Sequence, residues 1–196
     1  MSESSDTYQR ILESAKELIY AKSYADVGVA AICDRAQVKK GSFYHFFPSK
    51  QDLTLAVIEA FYVEFKTALI DKAFDSSLTP LKRLERVLDL SIEFQENIYQ
   101  QTGQVYGCPF GNLATEVSTQ NEKLRRKLDS VFKKLQNQVR DTLQEAVADQ
   151  SVANIDVDKT AQAFMAMFEG CMLLAKTQND PSILRQVLPA AAHLKL

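Results

Sequence analysis

Apolar residues recur at steps of three and four along most of this chain, and no useful stretch alternates polar with apolar residues. The first spacing places side chains on one face of an α-helix, whereas a half-buried β-strand requires the second. The sequence therefore predicts an all-α protein with about nine helices. With 196 residues, 46% of them hydrophobic, the chain is long enough to bury a substantial core.

Helix boundaries follow from capping residues. Asp6 and Gln9 have the spacing of a capping box, which predicts a loose polar stretch up to Asp6 and a first helix that ends near residue 22. Ser49, with Asp52 three residues on, predicts the start of a long helix over 49–72. Later helices are predicted to start where a cap precedes or accompanies a proline, or at a capping aspartate: Thr79-Pro80, Cys108-Pro109, Asp156 and Asp180-Pro181.

The stretch Arg35–Lys50 carries four cations and no carboxylate, although the whole chain has a net charge of −2. Two short helices, 29–36 and 39–47, surround a tight turn, and Pro48 ends the second one. A small solvated basic patch would share the charge, but the compact helical order and the acid-free window favour a helix that enters the DNA major groove. The residues predicted to contact DNA are Lys39, Lys40, Gly41, Ser42, Tyr44, His45 and Lys50.

The segment Lys40-Gly41-Ser42-Phe43-Tyr44-His45-Phe46-Phe47-Pro48-Ser49-Lys50 resembles the TetR family of bacterial one-component regulators, and the likeness runs from about residue 8 to residue 61. The resemblance implies a helix-turn-helix DNA-binding domain over 1–50 and a larger helical regulatory and dimerisation domain over 51–196, connected by the helix 49–72. It also implies that Lys40, Tyr44, His45 and Lys50 contact mainly the DNA backbone.

Three positions depart from the family pattern. Val27-Gly28 stand where a Thr-Ser pair usually caps the second helix, Gln37 stands where the turn commonly has glycine, and Lys39 replaces a serine cap. A left-handed conformation at Gln37 would cost roughly 1 kcal/mol. The departures concern the phosphate contacts of the second helix and leave the fold expectation unchanged.

The helix that Asp156 begins is apolar on nearly every face. Such a helix is either buried within one chain or packed between the core and a partner. The resemblance favours the second arrangement and implies a homodimer through the two C-terminal helices, about 156–194. It also implies a DNA-binding regulator, usually a repressor, on a palindromic operator.

Cys108 lies at a predicted helix start, where free N–H groups and the helix dipole favour a thiolate. The segment Gly107–Glu116 resembles a Gly-Cys turn of a TetR subgroup that includes sensors of electrophiles and oxidants. Cys108 is then a reactive sensor or, alternatively, a packing residue at a tight turn. Lys176 either extends to solvent or stabilises that thiolate.

A small hydrophobic or electrophilic effector is the predicted ligand, and its modification of Cys108, or its binding, would move the helix from 108 to 117 and pass that change along the helix 49–72. Aromatic and methionine side chains can line such a pocket, although a stripe of them is also typical of a core. The predicted sensor and ligand residues are Cys108, Lys176, Tyr106, Phe110, Phe168 and Met172.

Other functions have less support. The two histidines are far apart, and the chain lacks a nucleophile elbow, a phosphate loop and spaced metal ligands, so we expect no enzyme, no cofactor and no metal. The alternatives are a helical scaffold or adaptor without DNA binding, or a small helical enzyme. Three cysteines suit a reducing cytoplasm. The most apolar run, Ala163–Ala175, contains Glu169 and is shorter than the ~20 residues that a membrane span needs.

Overall fold

The computed structural model describes residues 3–153 and 155–196. Over these residues the chain forms nine helices and no β-strand, which confirms the all-α prediction. The helices are α1 (Glu3–Ala21), α2 (Val29–Ala36), α3 (Lys40–Phe46), α4 (Lys50–Phe65), α5 (Pro80–Thr102), α6 (Pro109–Val117), α7 (Glu122–Ala148), α8 (Val157–Gln178) and α9 (Ser182–Val187). Helix α4 continues through a π-helical turn (Lys66–Ile70) into a last α-helical turn (Asp71–Ala73), and α9 continues as a 3₁₀-helix (Leu188–His193). Within the described chain, no helix combines the length and the apolar character that crossing a membrane requires.

The chain divides into two compact units, neither of them continuous in sequence. The first comprises the chain up to Val63 together with Pro109–Ser130, and the second comprises Glu64–Cys108 and Val131–Leu196. The first unit thus joins α1, α2, α3 and most of α4 to α6 and the beginning of α7. This division describes packing, and the predicted functional boundary at residue 50 stays a prediction.

The core of the first unit takes one apolar stripe from each of its helices. Ile11 of α1, Phe43 of α3, Leu53 of α4 and Phe110 of α6 are fully buried. The rings of Phe61 and Phe110 meet edge to face with centroids 6.5 Å apart. Full burial of a side chain of this size contributes about 1.5–3 kcal/mol relative to exposure, so this core binds α6 firmly to α4.

Helix α8 is the central apolar element of the second unit. Phe164, Phe168 and Met172 on its inner face are buried, whereas Leu173 and Leu174 on the opposite face are 61% and 49% exposed. The predicted helix with apolar residues on nearly every face is therefore present, and its outer face carries apolar side chains that this chain does not cover.

The helix starts predicted at Ser49, Thr79-Pro80 and Asp156 are confirmed. The N–H of Asp52 donates to the Ser49 hydroxyl oxygen at 3.1 Å, and the hydroxyl donates in return to the Asp52 carboxylate at 2.7 Å. Pro80 is the first residue of α5. The Asp156 carboxylate accepts from the N–H of Lys159 at 3.1 Å.

The predicted start of the first helix is wrong. Helix α1 begins at Glu3, three residues before the proposed cap at Asp6. Asp6 lies inside the helix, and its carboxylate pairs with Arg10 one turn later, at 3.2 Å. Pairs of opposite charge at this spacing stabilise an exposed helical turn, so the polar start of the chain can be helical without burying apolar surface.

Candidate nucleic-acid interface and regulatory site

Helix α3 has one buried aromatic face and one exposed polar face. Phe43 is fully buried, and Phe47, directly after the helix, is 4% exposed. The ring of Tyr8 from α1 stacks on Phe47 with the centroids 5.0 Å apart. These contacts fix the rotation of α3 about its axis, so the polar residues between the two phenylalanines point outward.

Most residues predicted to contact DNA lie on this outer face. Five of the seven are exposed and Ser42 is half-buried. The Tyr44 side chain is 53% exposed. Neither Lys39 nor Lys40 forms an ion pair with a carboxylate of the described residues, so both ammonium groups are available to an outside anion such as a phosphate. We call these six residues the reading surface: Lys39, Lys40, Gly41, Ser42, Tyr44 and His45.

Lys50, the seventh predicted DNA contact, is bound to protein groups. Its ammonium donates a hydrogen bond to the backbone carbonyl of Tyr24 and lies 4.1 Å from the centre of the Tyr24 ring. Burial lowers the pKa of Lys50, and the neighbouring carboxylates of Glu116 and Asp26 act in the opposite direction. Lys50 thus supports the loop between α1 and α2.

Arg35 is also engaged within the protein. Its Nε donates to the Glu17 carboxylate at 2.8 Å, and both side chains are about half exposed. Two of the four cations in the acid-free window, Arg35 and Lys50, therefore hold the fold. The other two, Lys39 and Lys40, belong to the reading surface.

The turn between α2 and α3 keeps its usual geometry without a glycine. Gln37 is left-handed, with φ of 54° and ψ of 48°. The N–H of Val38 donates to the carbonyl of Cys33 at 3.0 Å, and the N–H of Gln37 donates to the carbonyl of Asp34 at 3.2 Å, which is the Schellman arrangement. At the other end of α2, Gly28 occupies the N-cap position and makes no side-chain hydrogen bond.

The loop that ends in Cys108 is held by two amide side chains of the second unit. Gln95 of α5 accepts from the N–H of Gly107 at 3.1 Å and donates to the carbonyl of Gly107 at 3.0 Å. Asn179, directly after α8, donates to the carbonyl of Gly103 at 3.0 Å. Because both side chains bond to backbone, the loop has one fixed conformation in this structure.

Gly107 lies closely against α8. Its φ is +72°, and a Cβ atom at this position would lie 3.4 Å from Cδ of Lys176 and 3.4 Å from the carbonyl oxygen of Met172. The aliphatic stem of Lys176 therefore covers the residue that precedes Cys108. Tyr106, on the other side of Gly107, is half-buried.

The Cys108 thiol is buried and has a carboxyl neighbour. Cys108 is 7% exposed. Burial raises the pKa of the Glu169 carboxyl, while a hydrogen bond from the Cys108 thiol acts to lower it. The Oε1 atom of Glu169 is buried and has no hydrogen-bond partner among the described residues. In the sensor hypothesis, the reactive group is therefore a buried thiol that donates a hydrogen bond to the Glu169 carboxyl.

A separate apolar cavity of about 30 Å³ lies elsewhere in the second unit. Of the predicted sensor and ligand residues, Phe168 lines it. All its walls are apolar, and the lining residues are Phe65, Ile70, Phe74, Val87, Leu135, Val139, Phe164, Met165 and Phe168. A cavity without polar groups holds no water firmly and suits an apolar ligand group.

Phe110 has a different environment from the other predicted sensor residues. It belongs to the first unit, where it is fully buried against Phe61.

The described residues contain no group of three or more histidine, cysteine, aspartate or glutamate side chains placed to hold a metal ion.

Three polar residues with structural roles were missed by the sequence reasoning. Gln95 bonds to backbone groups 12 residues away and Glu116 to one that is 92 residues away, and no local pattern indicates such partners. Glu169 did have a signal, because it is the one carboxylate in the apolar run of α8.

The chain matches two family descriptions, "Bacterial regulatory proteins, tetR family" over residues 11–57 and "Tetracyclin repressor-like, C-terminal domain" over residues 80–191. It is 36% identical to the transcriptional regulator AcuR of Cereibacter sphaeroides, over 89% of this chain and 78% of AcuR. An uncharacterised HTH-type transcriptional regulator of Lactococcus lactis is 32% identical, over 91% of this chain and 88% of its own length. The crystal structure of a regulatory protein TetR from Rhodobacter sphaeroides superposes with a TM-score of 0.83 at 32% identity, over 97% of this chain and 99% of that one.

Proposed function

Because this chain belongs to the TetR family of bacterial regulatory proteins, we propose that it is a repressor that leaves a palindromic operator when an effector binds or when Cys108 is modified. The chain is a DNA-binding transcriptional regulator, as its relatives are, and not an enzyme. Regulators of this family bind operator DNA and act as dimers.

The reading surface is the observation that carries the proposal. Lys39 and Lys40 present two ammonium groups, and Tyr44 and His45 add donors that reach phosphate oxygens or base edges. Phe43 and Phe47 anchor the helix from the opposite side. A short helix held in this way can enter a major groove without moving relative to its own unit.

Binding to a duplex selected by the protein from a randomised pool tests this assignment. We expect Lys40→Ala and Tyr44→Ala to weaken binding, and Lys40→Ala to lower the slope of log affinity against log salt by roughly 0.9, because one phosphate contact is lost. Lys134→Ala, which removes an exposed lysine of the second unit, serves as the control. Unchanged affinity in the two variants would remove α3 from the interface, and failure of the wild type to select any duplex would favour a scaffold or adaptor.

We propose that the outer face of α8, together with α9, forms the dimer interface within 156–194. Leu173 and Leu174 on α8 and Val187 on α9 are large apolar side chains that are 61%, 49% and 41% exposed. Ala166 and Gly170, also exposed on this face of α8, are small enough to allow close approach of a second helix. The same patch of two protomers can meet across a two-fold axis.

Sedimentation of two variants tests this interface. We expect Leu173→Glu to convert the dimer to a monomer, because two carboxylates would be buried next to each other at the axis. Val147→Glu adds the same charge at a side chain of α7 that is 39% exposed, and it should leave the dimer intact. Dimers of equal stability in both variants would place the interface elsewhere.

The apolar cavity supports a small hydrophobic effector. Its volume of about 30 Å³ has room for few atoms, so a ligand must displace lining side chains. Met165 is the most adaptable of them, because methionine has three rotatable bonds. Phe65 directly precedes the π-helical turn after α4 and Ile70 is its last residue, so an occupied cavity would act on the helix that continues from the first unit into the second.

Benzene is a suitable probe of this cavity. We expect Val87→Ala, which enlarges the cavity, to increase the rise in melting temperature caused by benzene. Val131→Ala removes the same atoms from a buried residue that does not line the cavity, and it is the control. An equal benzene effect in both variants would argue against a ligand at this place.

Modification of Cys108 is the second route to release. The Gly-Cys turn and the helix start at Pro109 support it, and the Glu169 carboxyl can take up the thiol proton. Treatment with N-ethylmaleimide should release the operator from the wild type and not from Cys108→Ser. Equal release of both proteins would assign the effect to Cys33 or Cys171 and leave Cys108 as a packing residue.

A further inference from the structure

We propose that Glu116 is the positioning residue that couples α6 to the DNA-binding helices, through a clamp on the loop between α1 and α2. This inference rests on the proposed operator binding. In this proposal the Glu116 carboxylate transmits a movement at the end of α6 to the groups around Lys50. All the contacts concerned lie within the first unit.

The Glu116 carboxylate binds two successive backbone N–H groups. Oε2 accepts from the N–H of Tyr24 at 2.8 Å, and Oε1 accepts from the N–H of Ala25 at 2.5 Å. Hydrogen bonds to an ionised acceptor are shorter and about twice as strong as neutral ones. Both oxygens of one side chain thus hold a loop that is 91 and 92 residues away in sequence.

The position of this carboxylate in α6 points to a tertiary role. Glu116 is the penultimate residue of the helix Pro109–Val117. A negative charge in the last turn opposes the helix dipole, so the residue does not serve the stability of α6 itself. Its carboxylate bonds to the loop between α1 and α2 and attracts the ammonium of Lys50.

A peptide group connects Glu116 to Lys50, in addition to the direct attraction between the two charges. The carbonyl of Tyr24 and the N–H of Ala25 belong to the same peptide bond. The N–H donates to Glu116, while the carbonyl accepts from the ammonium of Lys50, which also lies over the Tyr24 ring. Because a peptide group is planar and rigid, a movement of the carboxylate that carries the N–H of Ala25 with it also reorients the carbonyl that holds Lys50.

Three other contacts of the segment 109–130 reach α4. The Asn121 amide donates to Gln51 at 2.9 Å, Lys127 pairs with Glu59, and Phe110 packs on Phe61. Glu116 gives α6 a direct contact with the entry to α2, whose far end carries the turn into the reading surface. Because α6 begins directly after Cys108, only this short helix separates Cys108 from Glu116.

Amide hydrogen exchange of the full-length protein, with and without the selected duplex, tests the clamp. In the wild type we expect slow exchange at Tyr24 and Ala25 and a change of exchange in α6 when the duplex binds, because coupling between two sites is reciprocal. In Glu116→Gln the two loop amides should lose protection. The α6 response to DNA should also be lost, while the duplex is still bound.

Glu122→Gln is the matched control. Glu122 lies in the same segment, and its carboxylate bonds to Arg125 and Arg126 of its own helix. It should keep both the loop protection and the DNA response of α6. The same α6 response in Glu116→Gln as in the wild type would overturn the inference, and so would loop amides of the wild type that exchange like those of an open loop.

The possible results distinguish a failure of the proposed clamp from a failure of the proposed operator binding. A wild type that binds no duplex contradicts operator binding, and the exchange at Tyr24 and Ala25 then still reports whether the clamp exists. The wild-type measurements need no variant, so misfolding of Glu116→Gln cannot hide the answer. Bound duplex without any change in the exchange of α6 overturns the coupling and leaves DNA binding intact.

Discussion

Gln37 adopts a left-handed backbone conformation that glycine adopts without strain. We expect Gln37→Gly to stabilise the protein by about 1 kcal/mol, because the conformational penalty of a side chain with Cβ is removed. Urea unfolding monitored by circular dichroism measures the change. Gln104→Gly, at an exposed position whose φ is not positive, is the control and should stabilise nothing.

Glu169 makes the stability of the second unit depend on pH. Burial raises the pKa of this carboxyl above its usual 4.5, so the folded protein holds the proton more tightly than the unfolded chain. The contribution is therefore present below pH 4.5 and is lost as pH rises through the raised value. Above that value the folded state contains an unfavourable buried charge.

We expect Glu169→Gln to gain stability relative to the wild type as pH rises from about 4.5, since the neutral amide has no proton to lose. Free energies of unfolding measured in urea across this pH range give the comparison. Parallel pH profiles of the two proteins would show that Glu169 ionises in the folded state as freely as in the unfolded one.

The sequence predicts the character of the reading residues better than their partners. The absence of carboxylates between residues 35 and 50 and the spacing of Phe43 and Phe47 correctly indicate which side of α3 is polar. The pairing of Lys50 with Tyr24 is not visible in the sequence, because it joins residues 26 positions apart through a backbone carbonyl. Glu116 is further still from its partners, and its residue type in a helix gives no signal of a clamp.

At the scale of helices, Ser49 and Thr79 provide a matched pair of caps. Ser49 makes reciprocal bonds with Asp52, whereas Thr79 caps α5 without a side-chain hydrogen bond. We therefore expect Ser49→Ala to destabilise the protein by about 1 kcal/mol and Thr79→Ala to cost distinctly less. Thermal unfolding of both variants checks this difference, and equal losses would show that the Ser49 bonds contribute nothing.

Capping residues in the sequence predict some helix starts correctly and miss others. They predict α4, α5 and α8 correctly, because their caps lie at the ends of loops. They fail at α1, where Asp6 pairs with Arg10 inside a helix that begins at Glu3. They also give no hint of the π-helical turn after α4, because a single extra residue leaves the spacing of apolar residues nearly helical.

At the scale of the whole molecule, the two packing units should open separately. Native-state hydrogen exchange in low denaturant resolves such units by their common opening free energies. We expect α6 to open together with α1, although 87 residues lie between Ala21 and Pro109, and α5 to open with α8. Exchange of α6 together with α5, its neighbour in sequence, would contradict this division.

Sequence alone does not reveal units that are interleaved. A composition change or a linker marks a boundary between consecutive domains, and here α4 and α7 continue without a break from one unit into the other. The information lies in contacts such as those of Phe61 with Phe110 and of Tyr24 with Glu116. These pair distant parts of the chain and have no local signature.

The interleaved first unit also sets an order of events during protein synthesis. The 67 residues from Glu64 to Ser130 must be translated after Val63 before the helices that carry the reading surface have all their packing partners. At about 5–20 residues per second this takes roughly 3–13 s. A nascent chain therefore completes its DNA-binding unit only after the ribosome has also made α5 and the cysteine loop.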